Sequence, residues 1–256
     1  MTKPGDIWRS KCGRMILRCG RWQDVLSDVE RVDAVITDPP YSERTHKGER
    51  GLRISRETNA KYVSDGLSRC PRNAIAYSPL TRKECKQFTS FVVDRVKHWS
   101  IIFCDHNTFN WWQSELSENN WTTFAPVVWA KKAAPPRFSG DGPANWCEYI
   151  SVARPKKRVK RSGSRPGYYL ANTQTGRLDD AGGTGIVGRK HVEALAKIVS
   201  DYSEPNDLIL DPYCGSGSLL RAAAIEGRRA IGAEMDPKTF DLAVRRLEAG
   251  YTPTMF

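Results

Sequence analysis

Long apolar runs, paired cysteines and clustered histidines are all missing from this 256-residue sequence. No apolar stretch approaches the roughly 20 residues of a membrane helix, and the amino terminus lacks the charged and then apolar layout of a signal peptide. The seven cysteines include no Cys-x-x-Cys pair, and the four histidines are dispersed. We therefore predict free thiols in a reducing cytoplasm, with no disulfide framework and no metal site.

Acidic residues are scarce relative to basic ones. The sequence has 29 Asp and Glu against 40 Lys and Arg, which gives a formal net charge of +11. Such an excess favours a polyanionic partner such as nucleic acid, although an anionic membrane surface would satisfy it as well. The length suits one hydrophobic core, and no break in the sequence requires two independent domains.

The most informative segment is Asp38-Pro39-Pro40-Tyr41, which follows the short apolar run 32–37. A brief β-branched run is typical of a buried strand in a parallel sheet. Because proline has no N–H for the ladder, the chain leaves the sheet there and presents an acid and an aromatic ring at the carboxyl end of the strand. Open α/β sheets bind ligands at that edge. The pair suits a flat, amino-bearing heterocycle, and a strand-ending turn with a capping Asp is the simpler alternative.

A second transition from strand to loop lies late in the sequence. The apolar residues 208–210 run into a glycine-containing loop, and the strong helix formers 219–226 follow it, with Gly227 placed to end the helix. Glycines let the backbone approach a ligand closely, and a helix amino end favours a carboxylate or phosphate. The next strand, 230–233, delivers Glu234, where an acid can accept hydrogen bonds from ribose hydroxyls. The loop consists of Asp211, Pro212, Tyr213, Cys214, Gly215, Ser216, Gly217 and Ser218.

This loop lacks the signatures of two common nucleotide sites. A Walker loop requires a Lys after its last Gly, where Ser218 stands. The dinucleotide fingerprint requires a third Gly where Leu220 stands. The Gly-x-Gly loop, the Asp-Pro-Tyr-Cys before it and Glu234 after it instead indicate S-adenosylmethionine, whose ribose suits Glu234 and whose amino acid end suits Asp211 and the loop amides.

Together these segments resemble the amino-directed DNA methyltransferases, the family that methylates adenine N6 or cytosine N4. In that family an Asp-Pro-Pro-Tyr motif is catalytic, and an Asp-Pro-Phe-Cys-Gly-Ser-Gly-Thr loop holds S-adenosylmethionine. Residues 38–41 match the first motif in full, and residues 211–218 depart from the second only by Tyr213 for Phe and Ser218 for Thr. The catalytic motif precedes the loop by 173 residues. This order resembles the β class and argues against the protein glutamine methyltransferases, in which the order is reversed.

The resemblance implies an α/β, Rossmann-like methyltransferase fold, in which a mostly parallel twisted sheet is flanked by helices and the motif order is circularly permuted. It assigns the other strands of the catalytic half to 99–105, 123–131 and 148–154. It implies one methyltransferase domain over 1–256. The predicted divisions are a catalytic half at 1–130 with a flexible basic loop at 42–75, a target-recognition region at 131–188 and a cofactor-binding half at 189–256.

Lys190 is the last residue that the resemblance assigns to the cofactor site. It begins a segment similar to the Lys-Pro-x-x-Leu that precedes the cofactor loop in the family, with His191 in place of the proline. The residues that follow predict an amphipathic helix, whose apolar face comprises Val192, Leu195, Ala196 and Val199.

Two basic stretches are candidates for contact with DNA. The first lies in the long loop after the catalytic motif, and long loops beside active sites are more often functional than decorative. The second, 154–165, contains no acid. A solvated charge run or a nuclear-targeting signal would explain such a stretch without DNA. The predicted DNA-binding residues are Arg44, Lys47, Arg50 and Arg53 in the first stretch, and Lys156, Lys157, Arg158, Lys160, Arg161 and Arg165 in the second.

The resemblance further implies an S-adenosylmethionine-dependent enzyme that acts on double-stranded DNA. It implies restriction-modification as the setting, a homodimer as one assembly that the family uses, and the cytoplasm of a bacterial or phage-infected cell as the location. In the family, Asp at the first motif position usually accompanies adenine and Ser commonly accompanies cytosine, so Asp38 favours adenine N6 with cytosine N4 as the alternative. An RNA methyltransferase and a non-catalytic DNA-binding descendant also remain open, because fold alone does not establish function.

Overall fold

The computed structural model describes residues 2–45, 78–132, 142–156, 163–172 and 190–249. Within these ranges the chain forms one ten-stranded sheet with helices packed against it. The strands are β1 (Ile7–Arg9), β2 (Met15–Cys19), β3 (Val32–Thr37), β4 (Val96–Cys104), β5 (Trp121–Thr123), β6 (Val127–Lys132), β7 (Cys147–Pro155), β8 (Tyr168–Asn172), β9 (Leu208–Asp211) and β10 (Arg229–Glu234). The helices are α1 (Trp22–Val25), α2 (Arg82–Arg95), α3 (Phe109–Glu118), α4 (Val192–Tyr202), α5 (Ser218–Ile225) and α6 (Pro237–Glu248).

The strand order is β1-β2-β10-β9-β3-β4-β7-β6-β8, and β5 pairs with β7 outside this path. The five strands from β2 to β4 in that order are parallel, so their carboxyl ends meet at one edge of the sheet. Strand β7 runs antiparallel to β4 and to β6. Its carboxyl end therefore lies at the opposite edge, a point that matters below for the second basic stretch.

Two hydrophobic layers cover the two faces of the sheet. Side chains alternate along β3, so that Ile36 packs in the layer with α4, α5 and α6, whereas Val35 packs in the layer with α1, α2 and α3. Both residues are fully buried. Burial on both faces explains why the predicted strands read as continuous apolar runs in the sequence.

Local capping signals fix where two of the helices begin. Thr81 and Glu84 form a capping box at the start of α2, in which the Thr81 side chain accepts from the Glu84 N–H at 3.2 Å and the Glu84 carboxylate accepts from the Thr81 N–H at 2.9 Å. Asp236 caps α6 by accepting from the Thr239 N–H at 2.9 Å, and Pro237 is the first helical residue.

The predicted strands are found, with one correction. The prediction of a single strand through 123–131 is wrong, because β5 ends at Thr123 and β6 begins at Val127. Pro126 lies between them and has no N–H for the ladder. Strands β7 and β8 fall inside the predicted target-recognition region 131–188 and belong to the main sheet. In the part of the chain that the structure describes, no helix has the length and apolar character of a membrane span.

Candidate active site at the carboxyl edge of the sheet

The two motifs found in the sequence meet where β3 and β9 lie side by side. These strands are parallel neighbours, with Ala34 opposite Ile209 and Val35 opposite Leu210. The chain leaves β3 into the motif at 38–41 and leaves β9 into the loop that starts at Asp211. The Thr37 hydroxyl donates to the Asp211 carboxylate at 2.7 Å, in a buried contact between residues 174 positions apart. The helix after β9 leads to β10 on one side, whereas β3 lies on the other, so the site occupies a topological switch point of the sheet.

The glycine loop is shaped by two left-handed residues. Gly215 has φ 53° and Gly217, which immediately precedes α5, has φ 80°, and L side chains rarely adopt either conformation. A Cβ placed on Gly215 would meet no heavy atom within 4 Å, so the space beside it is open among the described residues. The Cys214 N–H donates to the Ala233 carbonyl at 2.9 Å and ties the loop to β10. The result is a cradle whose backbone faces open space in front of a helix amino end.

Two carboxylates border this cradle, of which Asp211 is buried and Glu234 is partly buried. Burial raises the pKa of Asp211 to about 7, although the Thr37 hydroxyl and the Tyr213 N–H both donate to it. Burial also raises the pKa of Glu234, which accepts from the Asp236 N–H at 2.8 Å. Among the described residues neither carboxylate has a Lys or Arg within ion-pair distance. Buried acids without a counter-charge suit a ligand that brings a positive group and hydroxyl donors.

Other members of the predicted cofactor loop have mainly structural contacts. The Tyr213 hydroxyl accepts from the Trp22 indole N–H at 2.9 Å, and its ring lies 5.6 Å from that of Phe88, in the layer with α1 and α2. The hydroxyl that distinguishes this tyrosine from the family's phenylalanine is therefore hydrogen-bonded. Burial raises the pKa of the Cys214 thiol well above its usual value, which favours the neutral thiol over the nucleophilic thiolate.

The catalytic motif is surrounded by charged side chains that the sequence analysis did not assign. The Tyr41 hydroxyl donates to the Glu148 carboxylate at 2.6 Å, and Lys131 forms an ion pair with the same carboxylate at 2.5 Å. Lys190 was predicted at the cofactor. Its Nζ lies 2.7 Å from Asp38 Oδ2 and 2.6 Å from Glu148 Oε2. The other oxygen of Asp38, Oδ1, is buried and has no hydrogen-bond partner among the described residues.

Asp105 anchors the chain immediately after the motif. It follows β4, and its carboxylate accepts from the Ser42 N–H at 3.1 Å, from the Ser42 and Thr45 hydroxyls and from the Thr108 N–H at 2.8 Å. Burial opposes the charge, but these donors lower the pKa of Asp105 to about 2, so it stays ionised. The Leu80 N–H donates to the Tyr41 carbonyl at 3.0 Å. The residues described just before and just after 46–77 are therefore hydrogen-bonded beside the motif.

The structure describes three of the ten predicted DNA-binding residues, and these three lie in different surroundings. Arg44 is exposed and lies next to the motif. Lys156 follows the carboxyl end of β7, at the sheet edge opposite Asp38, and donates to the Asn120 side chain at 3.2 Å. Arg165 stacks 4.7 Å from the Trp99 ring and donates to the Asp201 carbonyl at 2.8 Å, so its guanidinium has a packing role. Lys47, Arg50, Arg53, Lys157, Arg158, Lys160 and Arg161 lie outside the described residues.

Comparisons with known proteins bear on the family and the fold. A family model described as DNA methylase, for the N6 and N4 enzymes, matches residues 184–245. The Type II methyltransferase M.HinfI of Haemophilus influenzae is 27% identical over 236 residues, which cover 85% of this chain and 63% of that protein. The chain thus spans less than two thirds of this relative's length. These findings support the amino-directed DNA methyltransferase family that the motifs predicted.

Solved structures show the same fold. The M1.HpyAVI–SAM complex matches with a TM-score of 0.63 at 20% identity, over 91% of this chain and 99% of that chain. The PvuII DNA methyltransferase, described as cytosine-N4-specific, matches with a TM-score of 0.62 at 15% identity, over 95% of this chain and 88% of that chain. At these identities the likeness concerns the fold alone, and it confirms the predicted α/β class.

Proposed function

We propose that this chain is a DNA methyltransferase that transfers a methyl group from S-adenosylmethionine to the N6 amino group of an adenine turned out of the duplex. The observation that carries the proposal is the contact between Thr37 and Asp211, which joins the motif at 38–41 to the loop at 211–218 at one sheet edge. A base held by the first segment and a cofactor held by the second would then lie within one cleft.

The residues present fit S-adenosylmethionine. Asp211 is a buried carboxylate with no basic partner among the described residues, and it would take the ammonium of the amino acid end. Glu234 ends β10 and would accept from the ribose hydroxyls. The open space at Gly215 leaves room for the cofactor to approach the backbone. When bound, the cofactor supplies an electrophilic methyl group on a sulfonium.

The protein's part in the reaction is to bind the target base and to orient its amino group. Turning an adenine out of the duplex costs on the order of a few kcal/mol of stacking and pairing, and stacking on Tyr41 recovers part of that. Asp38 and the Pro39 carbonyl accept the two amino hydrogens and direct the nitrogen lone pair toward the methyl carbon. With the cofactor bound, Asp38 and the Pro39 carbonyl would hold the amine for attack, and Asp38 together with solvent would take the proton that the methylated amine loses. Fixing two reactants in this geometry can supply roughly 7–11 kcal/mol.

The decisive test is substitution of Asp38. D38A removes the acceptor for the amino hydrogens, and D38N keeps its size while removing its charge. We expect both variants to lose turnover in a labelled methyl-transfer assay and to keep measurable S-adenosylmethionine binding by calorimetry. Among the described residues no hydrogen bond or ion pair joins Asp38 to Asp211 or Glu234, and the charge of Asp38 only raises the pKa of Asp211. Near-wild-type turnover in D38A would remove the proposal, and a wild-type protein that does not bind S-adenosylmethionine would revive the non-catalytic DNA-binding alternative.

Cytosine N4 is the second candidate target, and the match to the cytosine-N4-specific PvuII structure keeps it open. Both targets are exocyclic amines and need the same grip. Asp38 supports adenine, because the family pairs Asp with adenine and Ser with cytosine at this position. Methylated DNA hydrolysed to nucleosides and weighed would separate N6-methyladenine from N4-methylcytosine. Competition between duplex DNA and RNA for the labelled methyl group would test the RNA alternative.

A further inference from the structure

Lys190 touches three groups of the base-binding motif and its surroundings. Its ammonium lies 2.7 Å from Asp38, 2.6 Å from Glu148 and 3.1 Å from the Tyr41 hydroxyl, and it sits 4.8 Å from the centroid of the Phe103 ring. Only about a tenth of its side chain is exposed. Its described contacts thus involve the motif that would hold the base, and none involves the loop that would hold the cofactor.

Glu148 is the second residue that contacts several members of this group of side chains, which comprises Asp38, Tyr41, Lys131, Glu148 and Lys190. Its Oε2 accepts from both the Tyr41 hydroxyl and Lys190, while its Oε1 is paired with Lys131. Strand pairing explains the arrangement: Glu148 on β7 lies opposite Trp129 on β6, and Lys131 is the diagonal neighbour on the same face. Two lysines and two carboxylates together carry no net charge, which allows them to lie side by side in a partly buried group.

The two oxygens of Asp38 are not equivalent in this arrangement. Oδ2 is held by the ammonium of Lys190, whereas Oδ1 is buried and without a partner among the described residues. A buried acceptor with no donor is costly unless a ligand supplies one. The orphaned oxygen is therefore the one that an amino hydrogen of the target base would reach.

We infer that Lys190 and Glu148 are positioning residues for the target base: Lys190 holds Oδ2 of Asp38 so that Oδ1 faces the amino group, and Glu148 fixes the Tyr41 hydroxyl so that the ring stands ready to stack. This inference rests on the proposed function and deepens it. It moves Lys190 from the cofactor site to the base site. It also gives Glu148 a role that its sequence context alone did not indicate.

The charges support these roles. Burial opposes charge on Glu148, but Lys190 and Lys131 lower its pKa to about 2, so it remains an acceptor. Burial and the neighbouring carboxylates raise the pKa of Tyr41 well above its usual value, so the phenol keeps the proton that it donates. Burial raises the pKa of Asp38, Lys190 opposes this rise and Glu148 adds to it. Lys190 is thus the larger of the two influences that favour the ionised, accepting form of Asp38, and the Tyr41 hydroxyl is the smaller.

Two substitutions test the inference in opposite directions. K190M removes the cation beside Asp38 and should move the acidic limb of the turnover–pH profile to higher pH. E148Q removes the neighbouring anion and should move that limb to lower pH. Both should lower turnover on the order of 10²-fold, because a displaced acceptor or ring spoils the attack geometry. The profile is measured at saturating S-adenosylmethionine, so that titration of Asp211 does not enter. Three other titratable groups interact directly with Asp38, namely Tyr41, Cys104 and Asp211. Lys131 acts on Asp38 only indirectly, through its ion pair with Glu148.

Matched controls separate positioning from loss of folding. K131M removes a cation that is paired with Glu148 but removes no contact of Asp38 or Tyr41. The acidic limb of the turnover–pH profile of K131M should therefore stay nearest to wild type. K190R keeps the charge and should recover part of the turnover lost in K190M. K190M leaves two partly buried carboxylates without their shared cation. The double variant K190M/E148Q restores neutrality, and its thermal melt shows whether the fold survives. Fluorescence of 2-aminopurine at the target position reports whether the base still enters the site.

The outcomes are distinct. An upward shift of the acidic limb in K190M with unchanged S-adenosylmethionine affinity supports the inference. Weakened S-adenosylmethionine binding with an unmoved limb overturns it and returns Lys190 to the cofactor site, and so does wild-type turnover in K190M. A wild-type protein that methylates no nucleic acid would remove the proposed function instead. In that case an NMR titration of the Asp38 carboxyl in wild type and K190M still decides whether Lys190 controls its ionisation.

Discussion

At the scale of single residues, Asp211 shows how one side chain would prepare the proposed cofactor site. The Asp211 carboxylate is 3% exposed and has no counter-charge among the described residues, so burial destabilises its charged form and raises its pKa to about 7 despite two hydrogen-bond donors. A cationic ligand group reverses that penalty. The residue is therefore a poor element of the ligand-free fold and a good element of a binding site, which is the pattern that separates functional acids from structural ones.

This reasoning predicts a pH dependence of cofactor binding. Because the ligand-free pKa is about 7 and the ammonium of the cofactor pairs with the ionised form, S-adenosylmethionine affinity should be full above that pH. Below it the affinity should fall by about tenfold per pH unit as Asp211 takes up a proton. Calorimetry between pH 5.5 and about 8.5 measures this, with D211N as the control that binds weakly and without this dependence. A wild-type affinity that is flat across the range would contradict the role given to Asp211.

Thr37 adds a second prediction at this scale. Its hydroxyl is a donor to Asp211 Oδ1 at 2.7 Å and favours the ionised carboxylate. T37V keeps the side-chain shape but removes the donor, so the midpoint of the affinity–pH curve should move to higher pH. T37S keeps the donor and should retain the wild-type midpoint. If T37V and T37S titrate alike, the contact between the two segments does not tune the cofactor site.

Among the elements, the strand β10 and the glycine loop are packed without spare room. A Cβ on Gly232 would lie 3.0 Å from Leu220 Cδ1, 3.1 Å from Cys214 Cβ and 3.2 Å from the Asp211 carbonyl oxygen. The Leu220 side chain can move, but the other two atoms belong to the loop that would hold the cofactor. Glycine at this position is thus required for the close approach of the loop to the strand.

G232A should therefore destabilise the protein by about 1–3 kcal/mol, the usual cost of overpacking a core, and should also weaken S-adenosylmethionine binding by pushing the loop outward. Urea denaturation and calorimetry measure the two effects. G167A is the matched control, since a Cβ there meets nothing within 4 Å, and its effect should stay within about 0.5 kcal/mol. Equal stability of the two variants would mean that the loop yields without cost.

How far the sequence predicts these elements depends on how local their signals are. Strands β3, β9 and β10 and helix α6 are marked by apolar runs and by Asp236 and Pro237, so the sequence locates them within a residue or two. The helices α2 and α3 escaped prediction, although Thr81 and Glu84 form a capping box that could have revealed the first of them. Their amphipathic faces are interpretable only against the sheet that they cover.

The residues of the site also fall into those that the sequence predicts and those that only the structure identifies. The motifs at 38–41 and 211–218 are contiguous in sequence and could be found there. Glu148, Lys131 and Thr37 could not be assigned, because their meaning comes from strand pairing: β6 places Lys131 beside Glu148, and β7 against β4 brings both toward the motif. Lys190 was found as part of a familiar segment, but which of two neighbouring sites its ammonium reaches is a question of tertiary structure.

The two edges of the sheet differ in the residues that they carry, and the net charge of +11 does not reveal this difference. The carboxyl edge of the sheet holds Asp38, Asp211 and Arg44. The second basic stretch leaves the sheet at Lys156, after the carboxyl end of the antiparallel strand β7, and Arg165, at its other end, packs on Trp99. The described ends of the two basic stretches thus lie at opposite edges of the sheet.

The placement of Arg44 and Lys156 at opposite edges of the sheet predicts which of the two contributes to DNA binding. Each phosphate contact steepens the fall of the binding constant with salt by about 0.9 on logarithmic axes. R44Q removes an exposed charge beside the base-binding motif and should reduce the slope by about that amount. K156Q removes the same charge at the far edge and should leave the slope unchanged. Fluorescence anisotropy with a labelled duplex, titrated over a range of salt concentrations, gives both slopes. An equal reduction in K156Q would show that DNA also reaches the far edge, and it would support the prediction that the second basic stretch contacts DNA.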